Sequence, residues 1–302
     1  MLLDISKAVI EELQDELFVQ KQVTVSILRL DKIHPVVSGN KLFKLHYFLE
    51  EAIAAKQDTI VTFGGAYSNH LAATAYACRM LQFKSIGIVR GEKPEQLSPT
   101  LLQCMQHGMD LKFIARQEYA KKEDPVFIND LLAEFENYLV IPEGGHHPMG
   151  AKGAALIMDL VKDNSYTHIC TPSGTETTLA GLLMSAKQEQ TVVSFPVLKG
   201  ITDNKKRIIQ LTGKEDEFKN LLIFADYHFG GYAKKTGILL DFMNHCWQKY
   251  QLPLDFVYTG KMFFGVLDSI KKGRFKKGSK ILCLHTGGLQ GNKSLPLNLL
   301  SF

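Results

Sequence analysis

From residue 59 onward the chain alternates short apolar runs with amphipathic stretches, and this alternation leaves few folds open to it. Thr59-Ile60-Val61-Thr62-Phe63 reads as a buried strand, Gly64-Gly65 as a turn, Ser68 to Leu81 as a helix, and Ser85-Ile86-Gly87-Ile88-Val89 as the next strand. The pattern continues with a helix near Thr100 to His107, a strand Leu111 to Ala115, a helix Pro125 to Phe135 and a strand Tyr138 to Ile141. It breaks at Pro142-Glu143-Gly144-Gly145-His146-His147-Pro148 and resumes with a helix Gly150 to Val161 and a strand Thr167 to Thr171. A helix Thr178 to Lys187, strands Val192 to Leu198 and Leu221 to Ala225, helices Lys234 to Tyr250 and Lys261 to Lys271, and a strand Lys280 to Leu284 complete it. Such alternation calls for an α/β fold of parallel sheets covered by helices. The opening reads as a short helix to about Leu17 and a strand Val23 to Leu30, and Thr202 to Asn220, rich in Lys, Glu and Asp, as a surface excursion.

With 302 residues and 45% hydrophobic content the chain can bury a sizeable core and divide into two compact units. Its 35 basic and 31 acidic residues are dispersed, apart from Lys271-Lys272-Gly273-Arg274-Phe275-Lys276-Lys277, which reads as a solvated loop. Nucleic acid is therefore not an expected partner. The cysteines, Cys78, Cys104, Cys170, Cys246 and Cys283, are odd in number and contain no Cys-x-x-Cys pair, the usage of a reduced, cytoplasmic chain, and no metal is expected. Asp4, Lys7, Glu11 and Glu12 interrupt the first 17 residues, so neither a signal peptide nor a membrane span is expected there, and no later segment has the uncharged length of a span.

In open parallel sheets ligands sit where strands end and helices begin. The stretch Ser38-Gly39-Asn40-Lys41-Leu42-Phe43-Lys44-Leu45 puts Lys41 in the first turn of a helix, with Asn40 as N-cap and apolar residues at Leu42, Leu45, Leu49, Ala52 and Ile53 carrying it to about Lys56. The macrodipole disfavours a cation there by roughly 0.3–1 kcal/mol, which pushes the amine toward its neutral, nucleophilic form. An ordinary solvated lysine is the alternative. In Gly64-Gly65-Ala66-Tyr67-Ser68-Asn69-His70, Ser68 and Asn69 could orient an anion or a phenolate, or Ser68 could simply cap its helix; His70 reads as a packed or surface residue. Ser173-Gly174-Thr175-Glu176-Thr177-Thr178 offers successive amides and three threonine hydroxyls at a helix start, either an anion cradle suited to phosphate or a cap. Glu176 would repel a phosphate unless its side chain turns away. Val257-Tyr258-Thr259-Gly260-Lys261 follows an aromatic-rich segment that reads as a strand, and its tyrosine, like Tyr232 in Gly230-Gly231-Tyr232-Ala233-Lys234, could serve a site or lie half-buried over the core. Neither a P-loop nor a Gly-x-Gly-x-x-Gly fingerprint is present, since Asn292 separates Gly291 from Lys293.

A lysine poised for imine formation, a phosphate cradle on another turn, and aromatic and polar groups for a ring point together to pyridoxal phosphate. Gly39-Asn40-Lys41-x-x-Lys44-Leu45, Gly64-Gly65-x-x-Ser68-Asn69, Ile141-Pro142-Glu143-Gly144-Gly145 with Pro148-Met149-Gly150, the threonine-rich loop, Val257-Tyr258-Thr259-Gly260-Lys261 and His285-Thr286-Gly287-Gly288 follow in order. Over about residues 25 to 290 the chain resembles the 1-aminocyclopropane-1-carboxylate deaminase/D-cysteine desulfhydrase family.

That resemblance implies a type II pyridoxal-enzyme fold with two three-layer, parallel-sheet domains. The smaller, near residues 50 to 150, would be inserted into a larger one made of residues 1–49 and 151–302. It implies that Lys41 bonds pyridoxal 5'-phosphate and shuttles the substrate proton, that Asn69 bonds the ring phenolate, and that Ser68, Tyr232 and Tyr258 sit at a small amino-acid substrate. Gly174, Thr175, Glu176, Thr177 and Thr178, with Lys44 one helical turn from Lys41, would hold the phosphate, and Thr259 would face the pyridine nitrogen. Deaminases of the family carry glutamate where this chain has Thr259, whereas desulfhydrase-like members share the threonine, so β-elimination from D-cysteine is the leading expectation and cyclopropane ring opening the alternative. Glu143, His146 and Glu176 depart from the family's usual small residues, which keeps a non-catalytic binder of a small anion or amino acid in view. A homodimer is implied by the resemblance alone.

Overall fold

A computed structural model describes residues 5–34, 39–214 and 218–302. Ser38, which opens the lysine stretch, residues 1–4 of the expected first helix and residues 215–217 of the charged excursion lie outside them.

The chain opens with β1 (Val9–Leu13), α1 (Glu16–Lys21) and β2 (Thr24–Arg29), followed by α2 (Asn40–Ala54). Next come β3 (Thr59–Gly64), α3 (Asn69–Leu81), β4 (Lys84–Arg90), α4 (Pro99–Gln106), β5 (Met109–Ile114), α5 (Arg116–Tyr119), α6 (Pro125–Leu131) and β6 (Tyr138–Ile141). After α7 (Pro148–Ala155) follow β7 (His168–Ser173), α8 (Thr177–Ser185), β8 (Thr191–Pro196), α9 (Asn204–Thr212) and β9 (Leu221–Ile223). The chain finishes with α10 (Gly237–Tyr250), α11 (Thr259–Lys271) and β10 (Lys280–His285).

The strands make two sheets, one ordered β1-β2-β10-β7-β8-β9 and the other β5-β4-β3-β6. All neighbours are parallel except β1 and β2. The segment forming the four-stranded sheet interrupts the chain that forms the six-stranded one, and helices cover both, as the unbroken burial of β3 and of Ile281 to His285 requires. The fold is α/β with two mostly parallel sheets.

Two expectations fail here. The opening holds a strand where a helix was expected to run to Leu17: the whole of β1 pairs antiparallel with β2, Val9 opposite Arg29 and Leu13 opposite Val25, and Glu11 closes an ion pair with Arg29 at 2.7 Å. The aromatic segment before Tyr258 is not a strand, because side chains satisfy its backbone instead of a ladder. Asn292 Nδ2 donates to Leu254 O (2.9 Å), Phe256 N donates to Asn292 Oδ1 (3.2 Å), and His285 Nε2 meets Pro253 O at 2.6 Å. The expected helix from Gly150 to Val161 starts earlier, at Pro148, and tightens into a 3-10 turn at Leu156–Leu160.

Close helix packing sets the site. A Cβ on Gly153 of α7 would lie 2.1 Å from Phe43 O of α2, and one on Gly181 of α8 would lie 2.6 Å from Ala151 O of α7, so α2, α7 and α8 approach to backbone contact. Lys41 at the start of α2 and the loop before α8 are thereby held on one side of the larger sheet.

Candidate active site

Lys41 is the second residue of α2. Asn40 is not the N-cap: Gly39 holds that position at φ 76°, and Asn40 is the first helical residue. A Cβ on Gly39 would fall 1.8 Å from Thr286 O, while Asn40 N donates to that same oxygen at 3.2 Å, which ties the helix start to the segment after β10. The side chain of Asn40 works across the site instead. Its Nδ2 donates to Thr178 Oγ1 (2.7 Å) and its Oδ1 accepts from Lys41 Nζ (2.8 Å). Burial lowers the Lys41 amine to about 8, against the opposing pull of Asp255. Lys44, 4% exposed, donates to Gly144 O at 3.1 Å; burial and the charge of Lys41 lower it well below an ordinary lysine, with Glu176 pulling the other way.

Opposite stands the loop between β7 and α8. Gly174 lies against Tyr258, with 3.3 Å from a Cβ built there to Cε1, and Thr175 lies under Gly144, whose Cβ would be 3.2 Å from its methyl. Thr175 and Thr177 hydroxyls meet at 3.1 Å, and Thr178 takes the bond from Asn40. Glu176 caps α8 in the left-handed region (φ 59°), with its side chain turned to Ser173 Oγ (3.3 Å) and Asn204 Nδ2 (3.1 Å).

A third wall comes from the smaller sheet. Ser68 is the N-cap of α3, accepting from Leu71 N at 3.2 Å, so the capping reading holds for it. Asn69 follows, donating to Gly288 O at 3.3 Å, while its Oδ1 is buried without a partner. His70 is packed as expected: Nε2 meets Thr62 Oγ1 at 3.0 Å, and burial, with the charges of Lys41 and Lys44, lowers it to about 3.

Tyr258 and Thr259 start α11. The rings of Tyr232 and Tyr258 stand edge to face at 6.0 Å; Tyr232 is 48% exposed at the rim, and burial raises both phenols. Thr259 does not stand free. Its hydroxyl donates to Asp255 Oδ2 (2.7 Å) and accepts from Asp255 N (2.9 Å).

Asp255 is the residue that sequence reasoning missed. Fully buried, it takes the amides of Val257 (2.9 Å) and Tyr258 (2.7 Å) on Oδ1 and that of Thr259 (2.9 Å) on Oδ2. Burial pushes its carboxyl up, while the Thr259 hydroxyl, these amides and His285 hold it down. A lone acid in the apolar run Leu252 to Tyr258 was the signal available for it. Lys261 was missed as well: its amine is buried, lowered by burial to about 8, and donates to Gly231 O at 2.6 Å, which fixes the loop that carries Tyr232.

The donor set fits an aromatic aldehyde that carries a phosphate. A buried amine with a lowered pKa, amides at the start of α8, a second buried amine beside them and the Asn69 amide nitrogen, which gives Gly288 O only one of its two protons, are what such a group would use. Fold and site together define an α/β enzyme with a buried amine in a site suited to a bound organic cofactor. Residues 18–287 match the family described as pyridoxal-phosphate dependent enzyme. A Pyrococcus furiosus protein provisionally named 1-aminocyclopropane-1-carboxylate deaminase is 31% identical over 284 residues, 88% of this chain and 85% of that one. The D-cysteine desulfhydrase of Klebsiella pneumoniae is 27% identical over 283 residues, 87% and 86% of the two chains. The solved structure of an ACC deaminase homologue superposes with a TM-score of 0.81 at 27% identity, over 96% of this chain and 92% of that one. The chain belongs to the pyridoxal-phosphate dependent enzyme family, its cofactor is pyridoxal phosphate, and its class is the lyases that deaminate amino acids. Among the described residues, no helix is long and apolar enough to cross a membrane.

Proposed function

We propose that the chain eliminates the β-substituent of a small amino acid, D-cysteine and water giving pyruvate, ammonia and sulfide. The observation that carries this reading is the engagement of Thr259. Its hydroxyl proton is given to Asp255, and Asp255 spends both oxygens on three amides and that hydroxyl. The position facing the ring nitrogen thus brings no free carboxylate, which leaves the ring a weaker electron sink and favours prompt loss of a good leaving group.

When bound, pyridoxal phosphate supplies a carbonyl for amines and an electron-accepting ring. Lys41, with an amine lowered to about 8, would hold it and would move the Cα proton near neutral pH. The amides and hydroxyls from Gly174 to Thr178, with Lys44, hold the phosphate. Asn69 Nδ2, which gives one of its two protons to Gly288 O, would give the other to the phenolate. Ser68, whose hydroxyl accepts from Leu71 N and keeps its own proton to donate, orients the substrate carboxylate. Tyr258 and Tyr232, kept protonated by burial, line the leaving-group side as proton donors. The same reading takes residues 50–150 as the smaller domain, residues 1–49 and 151–302 as the larger, and a cytoplasmic homodimer as the working form.

A screen of D-cysteine, L-cysteine, D-serine, β-chloro-D-alanine and the cyclopropane amino acid for keto-acid release, at saturating cofactor, tests it. D-cysteine should be the best substrate. Efficient opening of the cyclopropane ring with D-cysteine untouched would assign the deaminase activity instead.

A further inference from the structure

Glu176 belongs to the loop read as an anion cradle, and its buried carboxylate is turned behind that loop toward Ser173 and Asn204. Its backbone at φ 59° lies in the left-handed region, which strains a residue with a side chain and which glycine adopts freely. The side chain is 1% exposed. Oε1 accepts from Ser173 Oγ (3.3 Å) and Asn204 Nδ2 (3.1 Å), and Ser173 Oγ in turn accepts from Ser194 Oγ (2.8 Å). Oε2 has no partner among the described residues. A carboxylate with one bare oxygen at this depth costs more when charged than as the neutral acid.

The groups that face it come from three sides. Lys44 approaches from α2, with an amine that burial keeps well below an ordinary lysine. Arg207 and Asp203 approach from α9, paired to each other at 2.8 Å, and His146 holds the other face of the loop through Nδ1 to Thr175 O at 2.8 Å. Burial raises Glu176 to about 7, with Ser173, Arg207 and Lys44 opposing and Asp203 adding to the rise. Strain, burial and a bare oxygen therefore coincide at the residue that begins the phosphate helix.

We propose that Glu176 gates the cradle by its own protonation, the neutral acid admitting a phosphate ester and the carboxylate repelling it. This rests on reading residues 173–178 as the phosphate cradle. The sign follows from linkage: a raised carboxyl is protonated in the folded protein below about 7, an arriving anion raises it further, and binding above that pH must take up a proton. Lys44 contributes in the same direction, because a phosphate favours its charged form. Phosphate affinity thus falls as pH rises through about 7.

Pyridoxine 5'-phosphate tests this, since it has an alcohol in place of the aldehyde and forms no bond with Lys41. Its phosphate ionises fully above a second pKa of about 6, so from pH 7 to 8.5 the protein supplies the titration. The cofactor-free full chain and Glu176→Gln are titrated with it at pH 6.5 and 8.5, by calorimetry in two buffers of different ionisation enthalpy. The wild type should bind about tenfold more weakly at the higher pH and take up about one proton there. Glu176→Gln should match it at the lower pH, bind about tenfold tighter than it at the higher, and lose most of the proton uptake. A role confined to holding Ser173 and Asn204 would shift both pH values equally, so parallel curves overturn the inference. Glu176→Gly, which suits the backbone, makes the same comparison should the glutamine variant misfold. Equal affinity for pyridoxine and its phosphate would sink the cradle reading itself, whereas phosphate-dependent binding insensitive to Glu176 sinks only the gate.

Discussion

The amide nitrogen of Asn40 lies 2.7 Å from the hydroxyl of Thr178, and this contact joins the first turn of α2 to the first turn of α8. The amide oxygen of the same side chain takes the Lys41 amine at 2.8 Å. On the proposed reading, one buried amide therefore spaces the covalent end of the cofactor site from its anionic end, over 138 residues of sequence.

Asn40→Ala should break that spacing. Thr178 and Lys41 each lose a partner in a buried setting, at a cost of about 1–3 kcal/mol of stability. Urea unfolding with and without inorganic phosphate measures it, and the stabilisation by phosphate should shrink as well. An unchanged midpoint under both conditions would show that the bridge is idle.

Lys41→Ala should abolish turnover and covalent cofactor attachment while leaving the fold intact. Because burial already disfavours the charged amine, removing it should not lower the melting temperature. Borohydride reduction followed by mass spectrometry reads attachment, and circular dichroism reads the fold. Normal turnover in this variant would take Lys41 out of the mechanism.

Attachment at saturating cofactor should speed up as pH rises through about 8, because the Lys41 amine is lowered from 10.5 to about 8 and only its neutral form attacks. The same shift makes folded-state stability fall as pH drops from about 10.5 to about 8 and level off below that. Stopped-flow absorbance from pH 6.5 to 9.5 follows the first effect, and a flat profile would mean that the amine is already neutral throughout.

Thr259→Glu places a second carboxylate against Asp255 in a fully buried position. The cofactor-free variant should lose about 3–5 kcal/mol of stability, as expected for an uncompensated buried charge. With cofactor bound the new carboxylate should strengthen the ring as an electron sink, slow elimination from D-cysteine and bring in weak ring opening. Both reactions are assayed in parent and variant; parental rates in both would mean that position 259 does not choose between them.

Much of the fold was legible from spacing. β3, α3, β4 and β6 begin or end within a residue of where period and breakers put them, because long runs of one periodicity leave a chain little choice. The opening was misread because Val9-Ile10-Glu11-Glu12-Leu13 suits a helix as well as a strand, and only β2 beside it decides. The segment before Tyr258 was misread for the opposite reason: it has strand composition, but Asn292 and His285, more than 30 positions away, supply the bonds a neighbouring strand would have made. Asn40 looked like a cap because asparagine caps helices well, yet Gly39 was forced into the cap by the approach of Thr286.

By itself the sequence determined the alternation of strands and helices and the place of Lys41 in the first turn of a helix, since each depends on neighbours a few positions apart. Only the tertiary structure decided that Asp255 engages Thr259, that Asn40 spans to Thr178 and that Glu176 turns behind its loop with one bare oxygen. The last two join residues from separate segments, and all three depend on how buried polar atoms find partners once the elements are packed, which no local pattern encodes.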